Sequence, residues 1–253
     1  MSAPPRGGAP SMSAGEVTVV RDGVIATVTL NRPERRNSLS DAMLTALGEA
    51  FTALRDDRDV RVVIVTGAPP VFSAGADAPM RASMSPEERR RVFATSRSQF
   101  RRLFERATGV LEALEQPTIA MINGHAVGGG WGLTLACDFR FAAAEAQLWI
   151  PEVELGVPLG VASTTRFVRL VGPARAKEII MEGRRYAAAE ALAIGLVHRV
   201  FPADGLEAGV RDYAARLAAK PFRALAEVKA RIDAISRTGT PAVNAMTEGF
   251  LDR

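Results

Sequence analysis

The sequence predicts an α/β domain followed by a helical C-terminal segment, on three observations. Two short apolar runs, Arg61–Gly67 around Val62-Val-Ile-Val65 and Thr118–Ile122, have the length and continuity of strands buried on both faces, as in parallel sheets. Each run leads into a glycine-bearing loop and then into a stretch of helical periodicity. From Asp204 onward the pattern is helical, broken only at Pro221 and Pro241. Alternating strands and helices, closed by helices alone, argue an α/β core over residues 14–200 and a helical region over residues 201–253.

Taken in order, residues 1–13 read as a disordered tail, rich in proline and glycine and without the apolar stretch of a secretory signal. Val17 to Leu30 reads as two strands around the hairpin signal Asp22-Gly23. Asn31-Arg-Pro33 ends the second strand. Ser40 caps a helix that starts at Asp41 and carries Met43, Leu44, Leu47, Phe51 and Leu54 on one face. Ser85-Pro86-Glu87-Glu88 opens a long helix, with proline at its first position and acids in its first turn. Its apolar stripe runs through Phe93, Phe100, Leu103, Phe104, Ala107, Leu111 and Leu114. Further on, Phe139–Ala142 and Leu148–Ile150 read as short strands. Pro173 starts a helix, Gly195 ends the next, and Leu196–Phe201 reads as a last strand.

Composition narrows the function classes. The chain has 253 residues, of which 47% are hydrophobic and 24% charged, ordinary proportions for a globular protein. No apolar run approaches the roughly 18 residues of a membrane span. The single cysteine, Cys137, excludes an internal disulfide and fits cytoplasmic residence. With His125 and His198 it forms no ligand cluster at the usual spacings, so no metal is expected. The net charge is +4, with 29 arginines against 3 lysines. These arginines are spread along the chain, and the dense run Arg89-Arg-Arg91 lies in the predicted helix beside acids. A solvated helix face is therefore preferred to a nucleic-acid surface.

The informative feature is a pair of loops, Phe72-Ser-Ala-Gly-Ala-Asp77 and Gly128-Gly-Gly130, each following a buried strand. Glycine allows close backbone approach, and a helix N-terminus presents unsatisfied N–H groups. Two such loops can aim two donors at one oxygen, which chemistry through an oxyanion or enolate requires. Either loop alone reads equally as a tight turn. Neither a G-x-G-x-x-G nor a Gly-Lys-Ser/Thr phosphate motif is present.

With these loops stand Leu30-Asn-Arg-Pro33, Arg36-Asn-Ser-Leu39, Val63-Ile-Val-Thr-Gly67, Ile122 through Gly130 to Asp138, Ile150-Pro-Glu-Val-Glu-Leu-Gly156, Leu170-Val-Gly-Pro173 and Ala193-Ile-Gly-Leu-Val197. In this order the set resembles the crotonase superfamily, the enoyl-CoA hydratases and isomerases, over nearly all of residues 16–237. The resemblance implies a spiral core of ββα turns with a helical C-terminal trimerisation region, assembled as a trimer or a dimer of trimers. It implies an acyl-CoA thioester substrate and no cofactor, coenzyme A being part of the substrate. The oxyanion donors would be the N–H groups of Ala76 and Gly129. Ala74, Gly75 and Asp77 would lie along the coenzyme, and Arg36 would reach its phosphates.

The family's hydratases carry one catalytic glutamate two residues after the glycine triplet, where this chain has Gly132. The second follows a proline, and here it is Glu152. Hydration needs a water held, deprotonated and delivered to C3, and a proton supplied to C2, work that two carboxylates share. Moving a double bond from C3 to C2 needs only one base and the oxyanion donors. The pattern resembles that of the family's 3-enoyl/2-enoyl isomerases, which makes isomerisation the leading expectation. Hydration, a catalytically weak acyl-CoA-binding paralogue and an RNA-binding paralogue are the alternatives. Trp131 reads evenly as pocket wall or core, His125 as loop packing, and Cys137 as a buried small residue. The acyl pocket falls to the stretch Ala78 to Phe104.

Overall fold

The computed structural model describes residues 12–77 and 85–237. Ten strands and seven α-helices alternate along these residues. β1 (Met12–Ala14), β2 (Val17–Asp22) and β3 (Ile25–Leu30) form an antiparallel meander at one edge of a seven-stranded sheet. β4 (Val62–Gly67), β5 (Thr118–Ile122), β7 (Phe139–Ala143) and β10 (Arg199–Phe201) continue it in parallel, in the order β1-β2-β3-β4-β5-β7-β10. Every residue of β4 is buried, as its unbroken apolar run predicts.

A smaller layer lies beyond the C-terminal ends of these strands. β6 (Ala126–Val127), β8 (Gln147–Trp149) and β9 (Tyr186–Ala187) form a three-stranded sheet. Single parallel bridges, Leu39 to Ala76 and Ser73 to Ala126, extend the pattern to the earlier loops. The chain thus repeats one move: a strand in the large sheet, a short strand or bridge in the small layer, then a helix. The helices are α1 (Asp41–Asp56), α2 (Pro86–Glu112), α3 (Gly129–Thr134), α4 (Val161–Glu182) and α5 (Ala188–Ala193), followed by the closing pair α6 (Leu206–Ala218) and α7 (Phe222–Ser236). This is the ββα spiral with a helical C-terminal region.

Local signals set the helix ends. The Ser40 hydroxyl accepts from the Met43 N–H at 3.0 Å, and Met43, Leu44, Leu47, Phe51 and Leu54 are buried. Ser85 and Glu88 form a reciprocal capping box on α2. α4 is broken at Gly172, with φ +75°, and restarts at Pro173. Phe93, expected on the stripe of α2, and Pro241 lie outside the described side chains and residues respectively.

Two expectations need correction. Met12 and Ser13, assigned to the tail, pair with Val19 and Thr18 in the sheet. Gly15 at φ +55° lets Gly15-Glu16 close a two-residue hairpin there. The last strand starts at Arg199 rather than Leu196, because the N–H groups of Leu196 and Val197 both turn back to the Ala191 carbonyl, at 2.8 and 3.3 Å. Among the described residues no helix is long and apolar enough to cross a membrane.

Candidate active site

The two glycine loops meet, and the buried Asn37 side chain helps to place the first. Asn37 adopts φ +51° and donates to the carbonyls of Ala68 (2.7 Å) and Val71 (2.8 Å), while accepting from the Arg32 N–H (3.0 Å). Ser73 Oγ donates to the Asn37 carbonyl and accepts from the Gly75 N–H, so the loop before Ala76 is tied at each residue. The Leu39 N–H then bonds the Gly75 carbonyl at 2.7 Å, and the Asp77 N–H bonds the Leu39 carbonyl at 3.1 Å. In an extended chain alternate residues turn their N–H groups to opposite sides, so that of Ala76 faces away from Leu39.

The second loop arrives from β6. Gly128, at φ +49° and ψ −118°, a conformation for glycine alone, precedes the first turn of α3. The Gly129 N–H is in that first turn, where no intrahelical acceptor exists. A β-carbon built on Gly129 would lie 3.8 Å from the Ala76 nitrogen, and one on Gly75 would lie 3.5 Å from the Gly129 nitrogen. Ala76 and Gly129 both line one cavity of about 520 Å³.

Glu152 lines the same cavity from the segment after β8. Its carboxylate packs on Gly128: a β-carbon there would meet Oε1 at 2.6 Å and Cδ at 3.2 Å. Glu152 is half-buried, with Oε2 shielded from solvent. Leu39, Phe100, Phe104 and Leu159 give the cavity apolar walls. Phe100 and Phe104, one turn apart on α2 and stacked at 5.7 Å, lie against the glycines of α3. Phe100 Cζ lies 3.3 Å from the position of a Gly129 β-carbon, and Phe104 Cζ lies 3.2 Å from that of a Gly132 β-carbon. The glycines thus let an aromatic helix approach a helix N-terminus.

Against position 132 stands the residue that sequence reasoning missed, Ser163. A β-carbon on Gly132 would overlap Ser163 Oγ and lie 3.3 Å from Ser163 Cβ. Ser163, in the first turn of α4, is 3% exposed and lines the cavity. No sequence pattern singles it out; the only clue is the glycine at 132, whose vacated volume another element had to fill.

The residues expected along the coenzyme divide. Ala74 and Arg36 are exposed, joined by the Ala74 N–H to the Arg36 carbonyl at 2.9 Å, and neither side chain lines the cavity. Arg35 and Arg101 do. Asp77 lines it too, held by Arg32 Nη1 at 2.7 Å and Arg35 Nη2 at 3.2 Å. Burial alone would raise the Asp77 pKa, but the hydrogen bonds from Arg32 and Arg35 outweigh it and hold the carboxyl below its usual range. Trp131 is fully buried, edge-on to Phe167 at 4.9 Å, and belongs to the core. Cys137 is buried, and that burial pushes its thiol up to about 12. His125 Nδ1 accepts from the Gln147 N–H, and the His125 carbonyl receives the N–H groups of Phe72 and Ser73, so it ties the loops together. Among the described residues no group of histidines, cysteines and acids could hold a metal ion.

The enoyl-CoA hydratase/isomerase family model matches residues 21–251. The chain belongs to that family. This crotonase is 38% identical over 195 residues to a probable enoyl-CoA hydratase of Mycobacterium tuberculosis, covering 77% of this chain and 72% of the relative. An enoyl-CoA hydratase structure from Bacillus anthracis superposes with TM-score 0.79 at 35% identity, covering 94% of this crotonase and 90% of that chain. A monofunctional enoyl-CoA isomerase from Mycobacterium smegmatis superposes with TM-score 0.73 at 33% identity, covering 88% and 94%.

Proposed function

We propose that this crotonase generates and holds a thioester enolate of an acyl-CoA, and that its leading reaction moves a double bond between the 3-enoyl and 2-enoyl positions. The observation that carries this reading is position 132, a glycine whose side-chain space is taken by Ser163 and Phe104, while Glu152 keeps its carboxylate beside the glycine triplet. The thioester oxygen accepts from the N–H groups of Ala76 and Gly129, which acidifies the C2 protons. Glu152 removes a proton from C2, the electrons delocalise onto the thioester oxygen, and the carboxyl returns the proton at C4. Leu39, Phe100 and Phe104 keep the chain in an apolar wall, where donors aimed at developing charge act more strongly than in water. Arg35 and Arg101 offer positive charge to the coenzyme phosphates at the same cavity. Active assembly is a trimer or a dimer of trimers, consistent with Val228, Ile232 and Ile235 standing exposed on α7.

Hydration of a 2-enoyl-CoA is the second reading, favoured by the names of the M. tuberculosis and B. anthracis relatives. Purified protein assayed with a 2-enoyl-CoA and a 3-enoyl-CoA side by side separates the two. Glu152→Gln keeps size but removes the base, and isomerisation should fall about 10²–10⁴-fold while acyl-CoA binding persists. Efficient hydration without isomerisation by the unmodified protein overturns the leading reading.

A further inference from the structure

We propose that Ser163 is a positioning residue. Its hydroxyl holds a water in the cavity beside position 132, with Glu152 as the water's other partner, and hydration at this site runs through that water. The inference rests on the reading of Ala76, Gly129 and Glu152 given above and assigns a role within it.

Ser163 is nearly inaccessible, yet it lines the cavity that Ala76, Gly129 and Glu152 line. Among the described residues no hydrogen bond reaches its hydroxyl. Buried polar groups find partners, so this one is completed by a molecule in the cavity. Gly128 and Gly132 are joined across one turn by the Gly132 N–H to Gly128 carbonyl bond at 2.9 Å. Glu152 Oε1 sits against the first glycine and Ser163 Oγ against the second. Both oxygens thus border the same stretch of glycines, at the one cavity that Glu152 and Ser163 line.

The step balances with one carboxylate. Ser163 Oγ orients the water. Glu152 takes its proton as the oxygen bonds to C3, and the C2=C3 electrons pass to the thioester oxygen held by Ala76 and Gly129. The protonated Glu152 then delivers that proton to C2 as the enolate collapses. One water is added, and both side chains return to their starting states. Isomerisation needs no water, so the hydroxyl bears on one reaction and not on the other.

The test compares hydration of a six-carbon 2-enoyl-CoA with isomerisation of the six-carbon 3-enoyl-CoA in the full chain and in Ser163→Ala. Losing one hydrogen bond to the water should lower hydration kcat about ten-fold, with KM, isomerisation and thermal midpoint nearly unchanged. Gly132→Ser combined with Ser163→Gly returns a hydroxyl to the same volume from the opposite helix and should restore hydration. Equal loss of both activities in Ser163→Ala, unaffected hydration, or an unmodified protein that does not hydrate overturns the proposal. If instead Glu152→Gln leaves both reactions intact, the reading of Glu152 fails independently of Ser163.

Discussion

Gly128→Ala tests whether the backbone at the glycine triplet positions the base. The residue sits at φ +49° and ψ −118°, and an added β-carbon would meet Glu152 Oε1 at 2.6 Å. Ordinary contact begins near 3.4 Å, so the carboxylate must retreat by about 0.8 Å. Holding alanine in a backbone region that suits glycine costs about 1–3 kcal/mol. For a domain of this size that lowers the thermal midpoint by about 2–12 °C, leaving a folded protein if stability is typical, about 5–15 kcal/mol. A displacement near 1 Å at a reacting group costs roughly 10²-fold in rate. The expected result is a folded protein whose isomerisation kcat falls about 10²-fold while its affinity for a saturated acyl-CoA changes little. Steady-state kinetics on a 3-enoyl-CoA, calorimetric binding and a thermal melt measure the three quantities. Unimpaired turnover in folded Gly128→Ala would refute the claim that Glu152 acts from its place against Gly128.

Ala76→Pro removes one donor but spares the flanking ladder, because the bonds between Leu39 and its neighbours use Gly75 and Asp77. Turnover should fall about 10²–10³-fold in a protein that still melts cooperatively, and wild-type turnover would contradict the donor role. Burial and the nearby Arg140 charge depress His198 from 6.5 to about 4, and its Nδ1 already accepts the Arg140 N–H at 3.1 Å. Between those pH values the unfolded chain binds a proton that the folded chain lacks, so stability rises with pH across that window and is lost as pH falls through it. His198 is exposed and solvent screening shrinks the effect, but an NMR titration should place the His198 midpoint below 6.5, and a midpoint at or above 6.5 would contradict the account. In solution the protein should sediment as three or six chains of 27.0 kDa, and a monomer at micromolar concentration would exclude the assembly.

Short-range physics was legible in the sequence. The Ser40 cap, the buried face of α1, the Ser85–Glu88 capping box and the restart of α4 at Pro173 depend on neighbours within a turn or two, and their residue patterns mark them. β4 and β5 were legible because burial on both faces demands an unbroken apolar run. The motifs around Ala76, Gly129 and Glu152 identified the residues that line one cavity. Tertiary structure alone decided the rest. β6 and β9, two residues each, form by pairing with β8, and β6 also by its bridge to Ser73, partners that no local pattern encodes. Arg35, rather than Arg36, lines the cavity because Arg36 and Asn37 adopt left-handed backbone conformations that redirect the chain there. Ser163 comes to fill the space beside Gly132 only because α4 packs on α3. Volume in a close-packed interior is shared among elements distant in sequence, so the residue that replaces a missing side chain is found by contact and not by spacing.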